Sequence, residues 1–394
     1  MKKRAILIAP GMSLFLIGTL MLLALTGFRL PPREAEVKVA AESAARELLP
    51  ALVTFPGPER VAAVTAAAKS LSEVTGVAEV NSGTRWLNAW TTDAGDPPIA
   101  PAPGYQVPVD VASVDPEQFR DLVPAPFREK ISQLAHGGAI LSRTGAALRG
   151  ITETGVLHFP VHSIPVVGVV DDHLVRNHEI VISHATGGLL SLNDKRYLVI
   201  GLREVGAGKL VEDTIRAAIP QEATMRVRGP AGSGASTNLS PLLSLAHIKA
   251  TFGEFSAVTG AGTNIQIDQA WIDENTEIAT IPLLGTFRCH KKLIPQIARA
   301  LEEVEQQGLG GLIRPGEFGG CFSPRFIRSG KEAGLSRHAW GAAFDFNVSG
   351  NLYGQPPTMD LRLVEVMERH GFSWGGHWSY PDGMHFEFVQ DGTQ

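Results

Sequence analysis

The chain has 394 residues, enough for two or three domains, and an ordinary 44% of hydrophobic residues. Its net charge of −5, with no basic run beyond Lys2, Lys3 and Arg4, excludes nucleic acid as the expected partner. Two cysteines, Cys289 and Cys321, are too few for a disulfide scaffold or a thiolate metal cluster.

Residues 1–4 form a basic tail ahead of an uncharged apolar stretch at 5–27. About 20 such residues suffice to cross a bilayer as a helix. A cleaved signal, with an apolar core of about 7 to 15 residues, is the less favoured alternative. The basic tail should stay cytoplasmic, so the stretch is expected to be a single transmembrane anchor with the bulk of the chain outside the cytoplasm. Residues 28–92 read as a helical stalk: an extended Leu30-Pro31-Pro32-Arg33 exit, an Ala/Glu/Leu-rich helix at 35–52, and a second helix at 59–73. In that second helix Val61, Val64, Ala68 and Leu71 recur at helical spacing, and the stop is expected near Gly76.

The proline-rich stretch 93–108 is expected to be a linker. Residues 109–228 read as an α/β accessory domain. Helix is expected within 115–136, starting at Asp115-Pro116-Glu117 and split by Pro124 and Pro126. Val/Ile-rich runs at 164–170, 179–183 and 196–202 should be strands. His173, His178 and His184 lie near Asp171, Asp172 and Glu179, but their spacing matches no ligand motif, and a solvated strand-and-turn edge is expected there. Residues 229–243 are a linker by composition.

The domain 244–394 carries the chemistry. Ile265 and Ile267 alternate as in a strand; Leu293, Ile297, Leu301 and Val304 form the apolar stripe of a helix over 291–307 that Gly308 ends. A second helix at 361–370 presents Leu363, Val364, Val366 and Met367 before Gly371. The expected fold class is therefore α+β: a C-terminal domain with a small antiparallel sheet flanked by helices, preceded by an α/β accessory domain and one N-terminal transmembrane helix.

Two segments of this last domain interleave polar groups with large apolar ones. In Ser336-Arg337-His338-Ala339-Trp340-Gly341-Ala342-Ala343-Phe344-Asp345 and Asp382-Gly383-Met384-His385-Phe386-Glu387-Phe388, the histidines and aspartates should be largely buried. Buried ionisable groups need a partner. One zinc ion (Zn2+) would satisfy His338, Asp345 and His385 together and leave a fourth position open, as in catalytic sites. Asp382, three residues before His385 in a Pro381-Asp382-Gly383 turn, is placed to exchange a proton there. Glu387 shares the expected strand face of His385 and is expected to support that ring.

The pattern Ser336-x-His338-x-x-Gly341-x-Ala343-x-Asp345, followed by Asp382-x-x-His385, resembles that of the VanY-type zinc peptidases of bacterial cell walls. That family holds D-alanyl-D-alanine carboxypeptidases and L-alanyl-D-glutamate endopeptidases, and the likeness runs over about 263–389. It implies His338, Asp345 and His385 as zinc ligands, Asp382 as general base, and peptidoglycan stem peptides as substrate. An Asp rather than a Glu at 382 leans toward the endopeptidase branch. The family's arginine near the motif corresponds to Arg325 in preference to Arg328, as oxyanion stabiliser. Trp374-Gly375-Gly376-His377-Trp378 resembles the family's substrate-groove wall, which makes Trp374, Trp378 and Ser336 the expected substrate-binding residues. His377 and His290 are not expected to be ligands. Cys289 and Cys321 are either a disulfide pair or two buried thiols; an exported domain favours the pair. The competing expectation is a non-catalytic zinc-containing wall-binding or signalling module. A serine hydrolase is a poorer third, since neither Gly-x-Ser-x-Gly nor Ser-x-x-Lys occurs.

Overall fold

The computed structural model describes residues 50–93, 95–193, 195–220, 225–238, 243–327, 334–378 and 380–392. The expected anchor at 5–27 and the helix expected over 35–49 lie outside these, as does Arg328. Among the described residues no helix is long and apolar enough to cross a membrane.

A large mixed sheet organises the first half. Its strands are β1 (Ala51–Phe55), β2 (Val74–Leu87), β3 (Ala89–Thr91), β4 (Val107–Val114), β5 (Ala139–Ser142), β6 (Gly155–His158), β7 (Ser163–Val170), β8 (Ile180–Ser183), β9 (Lys195–Leu202), β10 (Arg226–Gly229) and β11 (Thr237–Asn238). They lie in the order β11-β10-β1-β9-β2-β4-β8-β5-β7-β6-β3. The three Val/Ile-rich runs expected as strands are β7, β8 and β9.

The segment expected as a helical stalk differs. From residue 51 it supplies three strands, and only Val61–Lys69 is an α-helix, with Val61, Val64 and Ala68 buried as their spacing predicts. Gly76, expected near a helix stop, lies inside β2. Tertiary pairing overrides local propensity here: β2 is hydrogen-bonded along its first part, Val74 to Asn81, to β9 and along its second, Val80 to Leu87, to β4, so Gly76 is held extended by β9, Ser82 and Gly83 by β4, and Asn81 by both. The split at Pro124 and Pro126 is found. Asp115 caps the short helix Pro116–Phe119, and a separate helix, Arg128–Ser132, follows the prolines.

The C-terminal layer begins with the helix Leu245–Phe252, capped by Ser244. It continues through the hairpins β12 (Ala257–Thr259) with β13 (Ile265–Ile267) and β14 (Thr276–Ile281) with β15 (Gly285–His290). The helices Ile294–Gln306 and Leu361–Arg369 bury the stripes read from the sequence. Gly308 and Gly371 follow them in the left-handed region at φ +70° and +81°. The layer ends in a three-stranded antiparallel sheet, β16 (Ala343–Asp345), β17 (Phe372–Trp374) and β18 (His385–Phe388), in the order β16-β18-β17. One face is aromatic: Phe344, Phe346 and Phe386 stack at 5.1–5.8 Å and are essentially inaccessible. Alternation along the strands puts Asp345 and His385 on the other face.

The two layers form one compact unit, 48–394. Gln106 and Ala257 exchange both backbone hydrogen bonds across their junction. Lys249 joins them through charge, donating to Glu179 and to the Pro108 carbonyl.

Candidate metal centre

Each member of the cluster is placed by a different local device. Ser336 caps the turn Arg337–Trp340 by accepting from the His338 amide, and Gly341 ends that turn at φ +62°. A Cβ on Gly341 would fall 2.6 Å from the His290 backbone nitrogen, so the close packing of this turn on β15 requires glycine. Asp345 and His385 are directly opposite in the β16–β18 register.

The result is three ligand-type atoms converging. His338 Nε2 lies 3.2 Å from His385 Nδ1 and 3.2 Å from Asp345 Oδ1, and His385 Nδ1 lies 3.0 Å from Asp345 Oδ1. A tetrahedron with zinc–ligand bonds of roughly 2 Å has edges of roughly 3.3 Å. The remaining ring nitrogens point away from this triangle to fixed acceptors: His338 Nδ1 donates to the Cys321 carbonyl at 2.8 Å, and His385 Nε2 to the Glu387 carboxylate at 3.3 Å. Such outer contacts fix ring orientation in metal sites. Cys321 is itself fixed, since it is disulfide-bonded to Cys289.

The electrostatics favour positive charge at the triangle. Burial alone would lower the His385 imidazole, but the Asp345 and Glu387 carboxylates outweigh it and push the ring up to about 10. Burial would raise Asp345, yet His338 and His385 hold it well below the usual carboxylate range. Glu387 is likewise lowered against its burial, by His385, Arg337 and His338. The donor set, its spacing and its charge all fit a divalent cation. Among the described residues these three are the group that meets such spacing.

The cluster lies in a cleft of about 540 Å³ that Arg325, Ser336, Trp378 and Asp382 also line. Trp378 sits 5.3 Å from the His385 ring. The turn carrying Asp382 is pressed against Gly375, where a Cβ would meet the Asp382 carbonyl oxygen at 2.6 Å. Trp374 departs from expectation. It is buried and donates its indole N–H to the Gly383 carbonyl, bracing the Asp382 turn from beneath instead of forming the groove wall. His377 is exposed and faces Glu368, and His290 is packed against Phe252, so neither joins the cluster.

The middle histidines do not gather with one another, but His178 is no solvated edge. It lines the same cleft, bonded to Asp110 at 2.7 Å and to the Tyr197 hydroxyl at 2.6 Å. Sequence reasoning also missed the contribution of the large sheet, which brings Thr84, Arg176, Arg226 and Arg228 to the cleft. The strand alternation Arg226-Val227-Arg228 was the available signal, yet it does not say what the charged face meets.

Among known proteins, no curated sequence matches this chain. Of the solved structures, the extracellular domain of the noncanonic ABC-type transporter YknZ from Gram-positive bacteria is similar to it at 12% identity over 45% of this chain and 98% of that one. The TM-score is 0.29, and a superposition that poor assigns no fold. A family model described as D-alanyl-D-alanine carboxypeptidase matches residues 329–388. That span contains His338, Asp345, Asp382 and His385, and the match supports the resemblance those residues carry.

Proposed function

We propose that this chain is a zinc-dependent peptidase that hydrolyses amide bonds in peptidoglycan stem peptides. The observation that carries the proposal is the meeting of His338 Nε2, Asp345 Oδ1 and His385 Nδ1 within 3.2 Å of one another at a cleft, each ring held from behind. His338, Asp345 and His385 would hold the zinc ion, which would supply Lewis acidity toward a carbonyl oxygen and a water.

The chain's own residues do the rest. The Asp382 carboxylate takes a proton from the attacking water and returns it to the leaving amine nitrogen. The Arg325 guanidinium, lining the same cleft, stabilises negative charge developing on the carbonyl oxygen. Ser336 holds the His338 turn, and the Trp378 ring offers a flat apolar wall beside the reacting group.

Export fits this substrate. The uncharged segment 5–27 is proposed as the membrane anchor, and the Cys289–Cys321 disulfide is the kind of bond that persists outside the cytoplasm.

Mass spectrometry of defined stem peptides incubated with the full chain tests the proposal, because the mass lost identifies the bond. Hydrolysis is expected, to vanish with a chelator and to return with added zinc. Should the chain bind one zinc and cut no bond, it is a wall-binding module and the peptidase assignment falls.

A further inference from the structure

The cleft holding the metal cluster is built from both layers, and its charges do not balance. Of its four carboxylates, Asp110 is bonded to His178, Asp345 and Glu387 are bonded to the cluster histidines, and Asp382 stands beside the cluster as the proposed base, ion-paired among the described residues to none of Arg176, Arg226 and Arg228. On the side supplied by the large sheet stand Arg176, Arg226 and Arg228, and none of the three forms an ion pair among the described residues. Arg226 and Arg228 lie two apart on β10 and so share one face, while Val227 between them is buried in the opposite direction.

All three guanidiniums are partly withdrawn from water. Arg228 Nε and Arg176 Nη2 are buried and have no hydrogen-bond partner among the described residues. Burial lowers the affinity of both side chains for their proton, and for Arg228 the neighbouring Arg226 lowers it further. Arg226 reaches the C-terminal layer, its guanidinium carbon lying 5.7 Å from the centre of the Tyr380 ring. Arg176 is held in the left-handed region at φ 54°, where a side chain is disfavoured and glycine or asparagine is usual. Desolvated like charges without a counterion are costly to a fold. A bound anion removes that cost, and a guanidinium fork is the group best shaped to take a carboxylate with two parallel hydrogen bonds.

We propose that Arg176, Arg226 and Arg228 form an anion subsite in which the large sheet binds a free carboxylate of the substrate peptide at a distance from the bond being cut. The identity of the peptide rests on the function proposed above; the subsite gives the large sheet a role in selecting the substrate, favouring peptides whose carboxylates are free over amidated ones.

Binding, read apart from turnover, tests this. The full chain carrying Asp382→Ala, loaded with zinc, is titrated calorimetrically with a stem peptide whose carboxylates are free and with the same peptide amidated. The free form should bind more tightly by roughly tenfold to a hundredfold, as for hydrogen bonds to charged groups. Adding Arg228→Gln or Arg176→Gln should raise Kd for the free form by a similar factor and leave the amidated form within about twofold. Arg176→Lys, which keeps the charge and loses the fork, should fall between, and it serves if the glutamine variant does not fold. Equal binding of the two peptides, or arginine variants that weaken both alike, overturns the subsite. Displacement of both peptides by inorganic phosphate with no difference between them also overturns it, in favour of a phosphate site. If the wild-type chain cuts no peptide while carboxylate-dependent binding persists, the peptidase assignment fails and the subsite stands.

Discussion

Asp382 sits three residues before His385 in a turn pinned by its own amide, which donates to the Gly375 carbonyl at 3.0 Å, and by Trp374 beneath it. Asp382→Asn keeps the shape of this turn and removes the proton acceptor. It is expected to lower kcat by roughly 10²- to 10⁴-fold, the usual worth of a general base, with zinc still bound at one ion per chain. Metal analysis beside the rate separates the two roles, since lost zinc would make Asp382 a ligand instead. His290 tests a different residue-scale claim. Its ring is buried edge-on to Phe252, donates from Nε2 to the Phe252 carbonyl and accepts at Nδ1 from the Lys292 amide, a pattern that only the neutral ring completes. Burial, with Lys291 and Lys292 adding to it, depresses this histidine to about 4, even though the Phe252 carbonyl favours the charged form. Between about pH 6.5 and 4 the unfolded chain therefore holds more protons at this position than the folded one, and stability falls as pH falls through that window, by up to ~3 kcal/mol. Denaturation at pH 7 and at pH 4.5 should show a shallower acid loss in His290→Gln than in wild type. Equal losses would show that another group carries the acid sensitivity.

At the scale of elements, the cluster depends on a turn, Arg337–Trp340, leading into a strand, β16, with Gly341 between them. Gly341→Ala adds a methyl 2.6 Å from a backbone atom that cannot rotate away, and does so at φ +62°. The conformational part alone costs roughly 1–2 kcal/mol, and the clash adds to it. Gly308→Ala is the control, being equally left-handed at φ +70° with nothing within 4 Å of its Cβ. The Gly341 variant should lose more stability and also bind zinc more weakly, because the displaced turn carries His338; if both variants behave alike, the packing against His290 is unimportant. These same elements were the most readable ones. Period-two alternation in 343–347 and 385–388 separates the aromatic face from the polar face without any knowledge of the fold, and the apolar stripe ending at Gly308 does the same for its helix. β1 and β2 were not readable in this way. β1 takes in the last two residues of an Ala/Glu/Leu-rich run, and β2 carries two glycines, so their extended conformation comes from partners far away in sequence.

For the whole molecule, what local sequence could not reveal is that the two layers share one cleft. That arrangement depends on the order of strands in the large sheet and on a joint of four charges: Arg149, Glu179 and Lys249, each 2% exposed or less, and Glu254 beside them. Lys249 comes from the first helix of the C-terminal layer. It donates to both Glu179 oxygens at 2.9 Å and to the Pro108 carbonyl at 2.5 Å, while Glu179 also accepts from the Asp110 amide at 2.8 Å. Asp110, Arg226 and Arg228 stand on strands of the sheet; the metal cluster belongs to the other layer; the quartet holds the two in register. Lys249→Met leaves Glu179 and Glu254 to share Arg149 in a buried setting, and is expected to cost roughly 3–5 kcal/mol. Adding Glu179→Leu should recover part of that loss, because a joint with fewer unpaired charges is cheaper than one left half-neutralised, although the Asp110 amide then loses its acceptor. Guanidinium denaturation followed by tryptophan fluorescence measures both variants. A loss below about 1 kcal/mol for Lys249→Met would mean that apolar contacts alone keep the layers together, and the register of arginines and metal cluster would then have to be assigned to them.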